Sequence, residues 1–278
     1  MKKIFPVIIT LFLFASCGKE EKPTNIFQEN FVELTSHHLK SYSVESNSEY
    51  LVVCESGLGD DHSVWLSKNL ANDISKQMDI LLYDRAGYGN STIDNNPRNI
   101  DRLRIELEAL VDQFSKGRKV ILVGHSLGGL IIRDYAIKNP NKTAALLFID
   151  PSHEYYNEPS QELEDLLYTS FSDAYGPDFG GTKEVRELIE DLEYTSLLPN
   201  LPDVPVTVLT SMKNDQANIA ADEANNKTRQ DWYDAHELLQ NGVSDFTHIQ
   251  TTNSGHYIMN NEASLVIENL HLLISKLP

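Results

Sequence analysis

Residues 119–129 read KVILVGHSLGG, and the helical pattern LIIRDYAI follows directly at 130–137. The run KVILV is short and almost wholly aliphatic. Runs of this kind are strands buried on both faces, as in parallel sheets. Gly124-His125-Ser126-Leu127-Gly128 is then a G-x-S-x-G sequence lying between a strand and a helix. The tight turn this predicts forces Ser126 into strained backbone geometry, and the glycines two before and two after it avoid clashes. The Ser126 hydroxyl is expected at the carboxyl edge of the sheet, with the N-terminus of the helix behind it. A structural serine has no need of flanking glycines, so Ser126 is a candidate nucleophile.

Similar runs recur on either side, at 50–54 (YLVVC), 80–83 (ILLY), 144–149 (AALLFI), 206–209 (VTVL) and 248–251 (HIQT). Helical patterns alternate with them. Residues 101–114 place Leu103, Leu107, Leu110, Val111 and Phe114 on one stripe, and 127–137 and 263–274 follow strands. This alternation predicts an α/β layer fold, a mostly parallel twisted sheet with helices on both faces and right-handed crossovers. Residues 31–44 read as a hairpin at a sheet edge. Residues 154–202 break the alternation with acidic, helix-like sequence where a shorter crossover would do, and read as a helical lid over the strand ends. The core is expected over 31–153 and 203–278.

A serine hydroxyl needs a base. Of nine histidines, His256 sits in the turn Asn253-Ser254-Gly255-His256-Tyr257 between the last strand and the last helix, on the same sheet edge as Ser126. His125 is beside the nucleophile but points away from it and reads as packing. A carboxylate must fix the tautomer of the base. Asp215, in the loop after VTVL, gives the chain order Ser126, Asp215, His256 and is preferred; Asp150, at the end of AALLFI, is the rival. An oxyanion needs two preorganised N–H donors. Leu127 supplies one, and Leu58, in the loop Ser56-Gly57-Leu58-Gly59, is the choice for the other. Asp60 or Asp61 reads as a helix cap. Arg85, after the strand ILLY, reads as an ion-pair and turn residue, with substrate contact as the alternative. Tyr155, Tyr156, Tyr168, Phe171 and Tyr175 could line an acyl pocket or form the core of the lid.

Ser56-Gly57-Leu58-Gly59, Asp84-Arg85-x-Gly87-Tyr88-Gly89-x-Ser91, Gly124 to Gly129, Phe148-Ile149-Asp150-Pro151-Ser152 and Ser254-Gly255-His256-Tyr257 together resemble the α/β-hydrolase superfamily. The resemblance runs from about residue 48 onward and is weakest over 154–202. It is closest to the lid-bearing serine esterase and aminopeptidase-like branch, although Ser56-Gly57 stands where His-Gly is common. It implies hydrolysis of carboxylic esters or thioesters through an acyl-enzyme, with a small acyl compound as substrate and no metal or organic cofactor. Amide or N-terminal peptide bonds are the alternative, for which Glu162, Glu164 and Asp165 would bind a substrate amine. A ligand-binding relative without catalysis is a third reading. An aspartate nucleophile would mean epoxide hydrolysis or dehalogenation, against which Ser126 argues.

The 278 residues carry a formal net charge of −18, which argues against binding nucleic acid, since that needs clustered Lys and Arg. Residues 1–17 (MKKIFPVIITLFLFASC) pair a basic start with an apolar run too short to span a bilayer, the build of a secretory signal. Ala15-Ser16-Cys17 resembles a bacterial lipobox. This implies acylation of Cys17, a polar tether over 18–30 and a lipid-anchored protein of the cell envelope, at its periplasmic or outer face. The alternative is a secreted protein with an incidental cysteine. Cys17 and Cys54 are the only cysteines, too few for a disulfide framework.

Overall fold

The structure, a computed structural model, describes residues 26–278. The signal segment, Cys17 and most of the expected tether lie outside the described residues. One eight-stranded sheet runs through the molecule. Its strands are β1 (Gln28–Glu33), β2 (His38–Val44), β3 (Leu51–Glu55), β4 (Asp79–Tyr83), β5 (Val120–His125), β6 (Thr143–Ile149), β7 (Val206–Ser211) and β8 (Phe246–Thr251). Their spatial order is β1-β2-β4-β3-β5-β6-β7-β8. The β1/β2 and β2/β4 pairs are antiparallel, and the rest of the sheet is parallel. The hairpin is therefore at the sheet edge, as its sequence implies. It starts earlier than expected, because residues 28–30, assigned to the tether, pair with β2.

Every residue of β3 to β7 is buried, which is why these strands read as unbroken apolar runs. The helices in chain order are α1 (Leu70–Ser75), α2 (Ile100–Phe114), α3 (Leu127–Lys138), α4 (Gln161–Tyr175), α5 (Gly180–Val185), α6 (Leu188–Ser196), α7 (Gln216–Asn225), α8 (Arg229–Glu237), α9 (Ile258–Asn261) and α10 (Ala263–Ser275). Two apolar layers result, one on each face of the sheet. Leu103, Leu107, Leu110 and Val111 of α2 pack with α3 on one face. Leu70, Ile74, Val266, Leu270 and Leu273 of α1 and α10 cover the other.

Helices α4 to α6 fill the insertion at 154–202, with Ser160 capping α4 by accepting from the Leu163 amide at 3.2 Å. A second helical insertion, α7 and α8, lies between β7 and β8; the helix around His236 is in line with the sequence, whereas α7 is not foreshadowed there. Asp191 of α6 accepts the amide of Ile100, the first residue of α2, at 2.8 Å and so ties the lid to the core. Burial pushes the Asp191 carboxyl up to about 8. The native state therefore keeps a proton that the unfolded chain releases near pH 4. Stability from this group is complete below that pH and is lost as pH rises toward about 8. Asp191→Asn retains the acceptor oxygen but has no proton to lose. Its melting temperature should fall less between mildly acid and mildly alkaline pH than that of the wild type. Equal slopes in thermal melts across that range would contradict the assignment.

Candidate active site at the carboxyl edge of the sheet

Ser126 joins β5 to α3 with φ 52° and ψ −123°, a conformation rarely adopted by a residue with a side chain. Its neighbours explain how the turn closes. A Cβ on Gly124 would lie 2.7 Å from the Gly128 carbonyl oxygen, and one on Gly128 would lie 2.3 Å from that of Glu55. Only glycine fits at either place. The turn is pinned by backbone bonds. The Ser126 amide donates to Ile149 O at 3.3 Å, and Ser126 O accepts from the amides of Gly129 at 2.8 Å and Ser152 at 3.0 Å.

The carboxylate that meets His256 is Asp150, not the preferred Asp215. His256 Nδ1 lies 2.8 Å from Asp150 Oδ2. The other oxygen, Oδ1, accepts from the Ser211 amide at 2.8 Å and from Trp232 Nε1 at 2.7 Å. Asp150 is fully buried at the end of β6 with φ 44°. Burial pushes its carboxyl up, but the hydrogen bond and charge of His256 outweigh this and hold it below the ordinary range. Asp215 is engaged elsewhere. It is the N-cap of α7, and its Oδ1 accepts the Asn218 amide at 3.0 Å. The loop after β7 turns into a helix at once, and that helix takes the carboxylate.

His125 Nε2 lies 3.1 Å from the carbonyl oxygen of His256. A carbonyl only accepts, so Nε2 carries the proton. Burial, then the nearby charge of His256, push this imidazole down to about 3, so it is neutral at physiological pH. It braces the chain beneath His256, in keeping with the packing role. His236 is buried against Pro151 O, and His37 is paired with Glu106.

Ser126 and His256 line one cavity of about 560 Å³. Its walls include Tyr156, Asp215, Asn218, Arg229 and Trp232. Of the five lid aromatics singled out in the sequence, only Tyr156 is in this lining. Helices α4 to α6 contribute nothing to it, and Glu162, Glu164 and Asp165 lie outside. Helices α7 and α8 contribute Ala217, Asn218, Ala221, Arg229 and Trp232 to its lining. Arg229 and Trp232 were missed. The sequence signal that marks where their helix begins is Thr228-Arg229-Gln230-Asp231, which forms a capping box.

Leu127 is the first residue of α3, so its amide is one of the unpaired donors at a helix start. A Cβ on Gly57 would lie 3.2 Å from Ser126 Cβ, which places the loop carrying Leu58 beside Ser126. Asp61 caps the 3-10 segment that follows, accepting the Ser63 amide at 2.8 Å. Arg85 is buried away from the cavity, against Glu55 and Glu184 at 2.9 Å each. Among the described residues, His37, Asp94 and Glu106, and separately Asp61, His62 and Asp84, bring metal-ligand atoms within 4.8 Å of one another. These groups are already matched internally: Arg98 holds Glu106, Arg102 holds Asp94, and His62 holds Asp84.

The arrangement offers an alcohol, an imidazole, a buried carboxylate and two candidate amide donors at one sheet edge, the groups needed for acyl transfer. The sequence matches the alpha/beta hydrolase fold family over residues 50–270, and the chain belongs to that family. It is 25% identical over 226 residues to the uncharacterized protein YqjL of Bacillus subtilis, covering 80% of this chain and 82% of that one. It is 29% identical over 157 residues to a proline iminopeptidase of Saccharolobus solfataricus, covering 56% of this chain but only 43% of that protein. A putative lipase from Acinetobacter baumannii shares the fold with a TM-score of 0.70 and 16% identity, covering 91% of this chain and 92% of that one.

Proposed function

We propose that the protein is a serine hydrolase that cleaves carboxylic esters, thioesters included, through an acyl-enzyme on Ser126. The observation that carries this reading is the shared cavity of Ser126 and His256, with Asp150 behind the imidazole at 2.8 Å. His256 takes the Ser126 proton as the oxygen attacks the substrate carbonyl. Asp150 holds the imidazole in the tautomer that can accept it and stabilises the cation formed. The amides of Leu127 and Leu58 receive the oxyanion. Collapse expels the alcohol or thiol, which takes the proton from His256. Water, activated by the same imidazole, then releases the acid and restores Ser126.

A fluorophosphonate ester tests this directly. One phosphonyl group per chain is expected, on the peptide carrying Ser126; a chain that stays unlabelled, or is labelled elsewhere, contradicts the reading. A second reading, release of an N-terminal residue, is favoured by Asp215 in the cavity wall and by the likeness to an iminopeptidase. Turnover of aminoacyl anilides faster than of aryl esters would select it. The N-terminal segment adds export and anchoring through acylated Cys17 to the proposal. Cys17→Ser should move the protein from the membrane pellet to the soluble fraction; retention in the pellet would count against the anchor.

A further inference from the structure

The loop beside Ser126 is held from behind by one side chain. Arg85 Nη1 donates to Ser56 O at 2.7 Å, and Nη2 donates to Gly57 O at 2.8 Å. Two successive carbonyls thus turn toward the guanidinium. Each peptide unit is planar and trans, so its N–H points opposite to its C=O. The amides of Gly57 and Leu58 therefore both face away from Arg85. Successive amides on one side of the chain make a concavity suited to an anion. The next amide, Gly59, is fixed as well, donating to Tyr88 Oη at 3.1 Å.

The guanidinium is itself oriented by the lid. Glu184 of α5 takes Arg85 Nε at 2.9 Å and Nη2 at 3.0 Å, a two-point pairing, and also accepts from Tyr88 Oη at 2.6 Å. Glu55 holds Nη1 at 2.9 Å from the other side. All four of these side chains are buried. The insertion is pressed close at the same place. The Gly180 amide donates to Gly87 O at 3.1 Å, and a Cβ on Gly59 would lie 3.3 Å from the ring of Phe171. Helices α4 to α6 do not line the cavity, yet one of them reaches the oxyanion loop.

We infer that Arg85, clamped by Glu184 of the lid, is a positioning residue that aims the Leu58 amide at the developing oxyanion. The inference rests on the esterase reading of Ser126. It assigns the insertion a part in transition-state stabilisation rather than in substrate contact. A lysine at position 85 keeps the charge between the two glutamates but cannot hold two carbonyls and a carboxylate in one plane.

The experiment measures kcat and KM of Arg85→Lys with a short-chain p-nitrophenyl ester, and the affinity of an alkylboronic acid, which forms a tetrahedral adduct with serine. The expected result is a fall in kcat of about 10²-fold with KM within a few-fold of wild type, a comparable loss of boronate affinity, and partial recovery of kcat by millimolar guanidinium in Arg85→Ala. A folded Arg85→Lys with wild-type kcat, or with loss confined to KM, overturns the inference. If the Arg85 variants do not fold, Glu184→Gln and Tyr88→Phe decide. Each should lose about tenfold in kcat with little change in KM, and unchanged kcat in both overturns it. If the wild type hydrolyses no ester, the reading of Ser126 fails separately. A crystal structure of Glu184→Gln then decides, the Gly57–Leu58 peptide turning over if the inference holds and staying in place if it does not.

Discussion

Ser126→Ala lowers kcat for a short-chain aryl ester by about 10⁴ to 10⁶-fold and leaves KM and the fold almost unchanged. The loss is large because the attacking atom is gone, and the imidazole has no alcohol to deprotonate. Some rate above that in water persists, since the amides of Leu127 and Leu58 and the cavity remain. The fold survives because the bonds that pin the turn, to Ile149, Gly129 and Ser152, are made by the backbone of residue 126 and not by its hydroxyl. Alanine has the same Cβ as serine, so the positive φ costs it no more. Steady-state kinetics and a thermal melt on the same preparation check both halves of the expectation. Turnover close to wild type in the folded variant would remove the acyl-enzyme mechanism. A wild type that binds ester without turning it over would leave the ligand-binding alternative.

Asp150→Asn costs about 10⁴-fold in kcat, while Asp215→Asn costs only a few-fold on the same ester. The asymmetry follows from what each carboxylate holds. In Asp150→Asn the Oδ1 acceptor can still serve the Ser211 amide and Trp232 Nε1, which lie at 2.8 and 2.7 Å. The amide nitrogen then faces His256 Nδ1, and as a donor it requires Nδ1 to be the acceptor. The imidazole proton moves to Nε2, so the ring can no longer take a proton from Ser126. Asp215→Asn keeps a good N-cap on α7 and leaves the tautomer of His256 alone. Kinetics of the two variants side by side separate the carboxylates; a larger loss in Asp215→Asn would reverse the assignment. With an aminoacyl anilide, Asp215→Asn should instead raise KM if the second reading holds.

The sheet and the nucleophile turn were legible because their signals are local. The runs of β3 to β7 are buried on both faces and so are apolar at most positions, with polar residues mainly at their ends. Gly124 and Gly128 are required by contacts within one tight turn and its neighbouring strand. The choice of acid was not local. Asp150 and Asp215 follow adjacent strands, β6 and β7, and nothing in either neighbourhood says which reaches His256. Recognising α7 would have decided it, since Asp215 is its cap. That helix is short and only weakly amphipathic, with Asn218 its one buried residue, so its periodicity carries little signal. The lid was legible as an insertion, but not its place. Its aromatics were open to two readings, pocket wall or lid core; Phe171 and Tyr175 pack with Phe179, which meets Tyr88, beside the loop carrying Leu58, in keeping with the second.

Ser126 and Asp150 both sit at positive φ without being glycine, and the amide of Ser126 reaches the carbonyl just before Asp150. Conformations of this kind cost on the order of 1–3 kcal/mol each. Glycine would relax the chain at Ser126 but delete the alcohol; at Asp150 it would also strip the acceptor from the buried Ser211 amide and Trp232 Nε1, so nothing is gained there. Heat resistance and the proposed turnover therefore compete at Ser126. A search for hardier variants that scores melting alone would be drawn to the one substitution that removes the proposed nucleophile.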